Sequence, residues 1–89
     1  MKRAASPVTR RALERRFGPN ARLDAISEEF FGLTPKKAAE YAALNRLPVP
    51  TFRLRDSQGA PLMVSVADLA ALVEERHAAA LPEWEKCQI

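Results

Sequence analysis

Eighty-nine residues carrying 14 basic and 11 acidic side chains, 47% of them hydrophobic, describe one small folded domain rather than a disordered chain. A chain of this size buries only roughly 60–65% of the surface its unfolded state exposes, so a modest core or help from dimerisation is expected. No apolar run approaches the ~18–20 residues of a membrane span, and MKRAASPV has no apolar region behind its basic residues, so it is not a secretory signal.

A single cysteine, Cys87, forms no internal disulfide, and with His77 alone there is no zinc set. A reducing cytoplasm suits such a chain. The net charge of +3 is unevenly placed. Lys2, Arg3, Arg10, Arg11, Arg15 and Arg16 face only Glu14 at the front. Asp68, Glu74, Glu75, Glu83 and Glu85 outweigh Arg76 and Lys86 at the back. A basic front and an acidic back suit a molecule offering one face to a polyanion, although a solvated helix face explains the N-terminal cluster as well.

The first helix is expected to start at Ser6 or Thr9, either able to cap it, with Pro7 suited to a first helical position. Leu13 and Phe17 share one face, and Gly18-Pro19-Asn20 ends the helix; residues 1–8 read as a basic tail. Arg22-Leu23 reads as a short extended piece. Asp24 then caps a second helix over 25–31 with Ile26 and Phe30 on one face, and Gly32 breaks it.

Thr34 and Pro35 start the third helix, which runs to about Arg46 with Ala38, Tyr41 and Ala42 inward and Leu47 closing the core. Lys36, Lys37, Glu40 and Ala43 are left outward. Asn45 stands where a terminating residue takes positive φ. Pro48-Val49-Pro50 forbids further helix. Two alternating runs follow, 51–55 and 62–66, around the turn residues 56–61, which together spell a β-hairpin. Phe52 and Leu54 point to one side, Arg53 and Arg55 to the other. Ser65 and Asp68 resemble a capping box for a fourth helix. That helix carries Leu69, Leu72, Val73 and Arg76 along one stripe towards Leu81, and residues 82–89 form a tail beyond Pro82.

The order helix, glycine turn, helix, basic hairpin predicts a mainly α fold with a small β-hairpin: a winged helix-turn-helix over 9–81, of the MerR or excisionase kind. Such units put the start of their second helix in the major groove of double-stranded DNA. Lys36 and Lys37 fall in that first turn, where they oppose the helix dipole; that unfavourable placement argues for an anionic ligand, against the plain alternative of two solvated lysines. Glu40 shares the same outward face. Arg53, Arg55, Ser57 and Gln58 sit on the hairpin and its tip, where a wing lays charge along the DNA backbone; covering an exposed sheet edge is their other reading. Arg10 and Arg11 reach for phosphates from the first helix. Trp84 reads as a packing residue, within the fold or across a homodimer. Neither His77, Cys87 nor the Glu28-Glu29 and Glu74-Glu75 pairs has a partner at catalytic or metal-binding spacing, so neither enzyme chemistry nor a cofactor is expected.

With those residues in hand, the chain resembles the pyocin activator protein family, PrtN-type regulators of bacterial genomes and prophages. The resemblance spans about Thr9 to Arg76. It is carried by FFGLTPKKA from Phe30, LPVPTFRL from Leu47, Ser57-Gln58 and Asp68-Leu69-Ala70. It implies a transcriptional activator that binds promoter DNA of phage-tail-like bacteriocin or prophage genes and touches RNA polymerase or a second copy of itself through the acidic fourth helix and tail. More distantly the layout is similar to excisionase and AlpA-type proteins, which implies the alternative of an architectural factor that bends DNA and recruits an integrase. A third possibility is a phage protein-interaction module that has lost DNA binding. Gly59-Ala60 departs from the pattern, standing where a more basic pair is expected.

Overall fold

The computed structural model describes residues 7–88. Four α-helices, a π-helical turn and a small two-stranded antiparallel sheet make a mainly helical molecule. Helix α1 (Pro7–Phe17) opens on the proline, whose missing N–H costs nothing at a first helical position, and stops at Gly18 with φ +82°. Ser6 lies outside the described residues. Thr9 does not cap α1; its hydroxyl donates to Glu74 at 2.5 Å.

Strand β1 (Asn20–Arg22) pairs with β2 (Met63–Ser65) in the register Asn20↔Ser65, Ala21↔Val64 and Arg22↔Met63. The short extended piece therefore ends at Arg22, one residue before Leu23. Helix α2 (Leu23–Ile26) begins there, with Asp24 in its first turn held by Arg22 at 2.8 Å rather than capping the helix. It continues as a π-helical turn (Ser27–Phe31), and Gly32 closes it at φ +65°, where the Gly32 and Leu33 N–H groups donate back to Glu28 and Ser27.

Helix α3 (Pro35–Ala43) is capped as its sequence requires: the Thr34 hydroxyl accepts from the Lys37 N–H at 3.2 Å. It ends at Ala43, three residues short of Arg46. Asn45 sits at φ 54° and passes the Arg46 N–H back to the Tyr41 carbonyl. Ala38 and Ala42 are buried, but Tyr41, expected inward, is 39% exposed. An alanine face brings α3 close to α2 and leaves a ring as large as Tyr41 no room between the helices.

The hairpin expected over 51–66 is reduced to one bridge, Phe52↔Met63, closed by hydrogen bonds of 3.0 and 2.7 Å. In an antiparallel ladder the next doubly bonded pairs lie two residues either way, at Leu54 opposite Pro61 and at Pro50 opposite Ser65. Each of those pairs contains a proline with no N–H to donate, so the ladder stops on both sides. Along its other edge β2 pairs with β1, and the Leu23 N–H donates to the Leu62 carbonyl at 2.9 Å. Phe52 and Leu54, read as sharing one side of the first strand, are both exposed.

Helix α4 (Val66–Lys86) starts without a capping box, since the Ser65 side chain makes no cap hydrogen bond. It continues through Pro82, beyond the expected end near Leu81. The core gathers where α4 begins: Leu69, Val64 and Val66 are fully buried beside Ile26, Leu23, Ala38 and Val49, with Leu13, Phe17, Phe30 and Leu33 packed around them. Past Arg76 every described residue is exposed, so the second half of α4 projects from a body 25 Å across into a molecule 53 Å long. No helix among the described residues is long and apolar enough to cross a membrane.

Candidate nucleic-acid interface

Thr34 and Pro35 fix where α3 begins, and that decides which of its side chains face out. Burying Ala38 and Ala42 turns the opposite side outward, where Lys36, Ala39, Glu40 and Ala43 are all exposed. Lys37 is exposed too and lies 3.7 Å from Glu40, a loose surface pair worth little on its own. Lys36 has no acidic partner among the described residues.

Ahead of α3 lies an open cleft of about 860 Å³ between the helix and the 51–62 loop. Ala39, Ala43 and Asn45 line its helical side, and Arg53, Arg55, Ser57 and Gln58 its loop side. The loop residues singled out in the sequence therefore come together on one cleft. Lys36, Lys37 and Glu40 do not line the cleft; they are exposed on the same helix as Ala39 and Ala43, Lys36 and Lys37 nearer its N-terminus. The sequence reasoning passed over Ala39 and Asn45 as cleft residues. The signal for Ala39 was its i,i+4 spacing with Ala43 on the side away from the buried pair, which keeps that wall of the cleft low.

The loop holds itself by local bonds. Ser57 accepts the Gly59 N–H on its hydroxyl at 3.2 Å, which ties its oxygen to the turn while the O–H remains able to donate. Arg53 Nε donates to the Ala60 carbonyl at 3.1 Å, anchoring the stem and leaving its terminal nitrogens pointing onward. Arg55 and Gln58 make no side-chain hydrogen bond or ion pair within the described residues. Gly59-Ala60 supplies the tight turn in place of further charge.

Arg10 and Arg11 lie on α1, which packs along α4 and against β1. Arg10 is shared with Glu14 at 3.8 Å, whereas Arg11 is exposed without an acidic partner among the described residues. Lys2 and Arg3 lie outside the described residues, but because α1 runs beside α4, the arginines of α1 and the acidic C-terminal helix are neighbours. They do not form the opposed front and back that their order in the chain suggested.

Other charges are structural. Arg16 grips Glu29 with both terminal nitrogens and lies over the Phe17 ring at 4.7 Å, while Phe17 meets Phe30 edge-on at 5.9 Å. The hydrogen bonds from Arg16 hold the Glu29 carboxyl below its usual range, and those from Arg22 do the same for Asp24.

A family model described as pyocin activator protein PrtN matches residues 9–80 of the chain. Neither the curated proteins nor the solved structures compared with the chain match it.

Proposed function

The chain belongs to the family of the pyocin activator protein PrtN, and on that premise we propose that it is a transcriptional activator of bacteriocin or prophage genes that binds double-stranded DNA sequence-specifically. In this reading α2, its π turn and α3 act as a helix-turn-helix, and the 51–62 loop acts as the wing. The observation that carries it is the cleft itself: Ala39, Ala43 and Asn45 of the α3 side face Arg53, Arg55, Ser57 and Gln58 across it, while Lys36 and Lys37 lie outside its lining, exposed in the first turn of the same helix.

The division of labour follows from side-chain chemistry. Lys36, Lys37 and Glu40, at the start of α3, address base edges in the major groove: the ammonium groups suit guanine acceptors and the carboxylate suits the cytosine amine. The methyl of Ala39 suits the thymine methyl and lets the backbone approach closely. Arg53 and Arg55 lie along phosphates, Gln58 adds a hydrogen bond, and Ser57 serves mainly to hold the turn. Arg10 and Arg11 add outer phosphate contacts, Arg11 more freely than Arg10. No catalytic group, metal or cofactor takes part, and the protein works in the cytoplasm, where the DNA is. RNA polymerase or a second copy of the chain meets the acidic α4.

The test is fluorescence anisotropy on the DNA upstream of the chain's own coding sequence, at several salt concentrations, for the wild type and for Lys36→Ala/Lys37→Ala. Tight binding to that DNA over a scrambled duplex is expected. The double variant should lose at least about tenfold in affinity and most of the discrimination. Absence of binding at low salt refutes the proposal. Equal affinity for every duplex replaces sequence-specific activation with the architectural, integrase-recruiting role.

A further inference from the structure

Two features of the molecule are left unused by a DNA-binding cleft. One is the projecting end of α4. Val73, His77, Ala80 and Trp84 follow one another at spacings of four, three and four, which places them on one stripe of the helix, with Leu81 alongside. Among the described residues nothing covers its outer end: Trp84 is 60% exposed and Leu81 43%. An unsupported helix carrying an interior proline, Pro82, has no packing reason to keep an indole on its surface.

The other feature is an apolar groove on the body. Phe30, Phe31, Leu33, Tyr41, Leu47 and Leu72 line a hollow of about 410 Å³, and Arg46 and Arg76 stand at its edge. Neither arginine has an ion-pair partner among the described residues. The groove is thus greasy with a cationic rim, and the arm presents the converse. Trp84 is flanked by Glu83 and Glu85, and among the described residues Glu83 pairs with Lys86 at 3.8 Å, both side chains about three-quarters exposed, while Glu85 has no ion-pair partner.

Arm and groove cannot meet within one chain. They belong to the same straight helix, and Trp84 lies about 18 Å beyond Leu72 along its axis at 1.5 Å per residue. They can meet between two chains. If two copies of α4 cross antiparallel, Trp84 of each comes opposite Leu72 of the other when the crossing falls at Ala78. At that crossing the face shared by Leu72, Arg76 and Trp84 presents Ala80, whose small side chain permits close helix approach.

We propose that the chain self-associates as a two-fold dimer in which the α4 arm of each copy seats Trp84 and Leu81 in the Leu72 groove of the other. Glu83 and Glu85 then meet Arg76 and Arg46. The contact is reciprocal, so it closes at two copies and does not propagate into a filament. It buries the only tryptophan of the chain at its centre, the residue type that most often anchors an interface. It also leaves α3 and the 51–62 loop free, so it deepens the proposed DNA-binding reading by naming the partner of α4 while being measurable without DNA.

The experiment is analytical ultracentrifugation with tryptophan emission across a protein concentration series, in the absence of DNA. A monomer–dimer equilibrium is expected, with emission moving to shorter wavelength as the dimer fills. Trp84→Ala should abolish the dimer, and Arg76→Glu, at an exposed position, should weaken it at least about tenfold by setting like charges together. Mixing Arg76→Glu with Glu83→Arg should restore association, because every facing pair in the mixed dimer is again of opposite sign. A single monomeric species with constant emission overturns the proposal. So does a dimer indifferent to Trp84→Ala or Arg76→Glu, which would place the contact elsewhere. Emission that shifts only when RNA polymerase is added would assign the arm to that partner and likewise refute self-association.

Discussion

Ser27 shows how a single residue can go against the local logic of a fold. It is fully buried beside Ile26, and its hydroxyl has no hydrogen-bond partner among the described residues. Its backbone carbonyl, in contrast, is well used, accepting the Leu33 N–H across the π turn at 3.1 Å. The side chain therefore carries a desolvated hydroxyl whose burial is uncompensated, while the main chain does the structural task. Ser27→Ala keeps the main chain and removes the stranded oxygen. It should leave stability unchanged or raise it by about 1 kcal/mol, read as the urea midpoint at constant m-value. A loss of more than about 1 kcal/mol would mean that the hydroxyl has a partner after all. Nothing in the sequence marks this position, because a serine between Ile26 and Glu28 reads equally well as an exposed helix residue. Thr34, Gly32 and Asn45 are the opposite case. Each has a local conformational duty that its chemistry announces, and the structure gives each that duty.

Among elements, those set by local chemistry were legible, and those set by distant partners were not. α3 is begun by a threonine cap and a proline and ended by a positive-φ asparagine, all between Thr34 and Asn45. β1, by contrast, exists only because β2 lies beside it, along the edge of β2 away from Phe52. No pattern within 20–22 reveals that pairing. The candidate site divides the same way. Lys36 and Lys37 follow from the cap, whereas the meeting of Ala39 and Asn45 with the 51–62 loop depends on the tertiary path. The packing of α1 is likewise non-local: Arg16 bonds Glu29 of the π turn, and this contact depresses the Glu29 carboxyl. A carboxylate whose folded pKa is lowered contributes stability above its unfolded value, near 4.3, and loses that contribution as pH falls through the folded value. Acid should therefore loosen α1 before it affects the buried helices. Wild type should lose thermal stability below about pH 4.5 more steeply than Glu29→Gln, which has no such proton to take up, while the two run parallel near neutrality. Parallel curves down to pH 3 would show that the pair contributes nothing in solution, as many exposed pairs do.

At the scale of the whole molecule, charge is distributed by folding and not by position in the chain. The arginines of α1 lie on a helix packed along acidic α4, and two are already engaged: Arg10 by Glu14 and Arg16 by Glu29. The cations left over, Lys36, Arg11, Arg53 and Arg55 among them, bear most on a polyanion. The arginines of the loop stand apart from any acidic helix. This arrangement predicts more than affinity, because each phosphate neutralised releases counterions and steepens the fall of log K with log salt by about 0.9. Arg53→Ala/Arg55→Ala should flatten that slope by nearly two units if both lie on phosphates. Arg10→Ala should change it by much less, since Glu14 already satisfies that side chain. Lys36→Ala should differ from both: a base-reading lysine removes discrimination between the upstream DNA and a scrambled duplex, with at most one unit of slope. The measurement is the same anisotropy titration carried across a salt series for each variant. An unchanged slope in the Arg53/Arg55 double variant would take the loop off the DNA backbone, leaving α3 to bind without a wing. A slope lost chiefly in Arg10→Ala would move the DNA to the α1 side of the molecule and separate it from the cleft altogether.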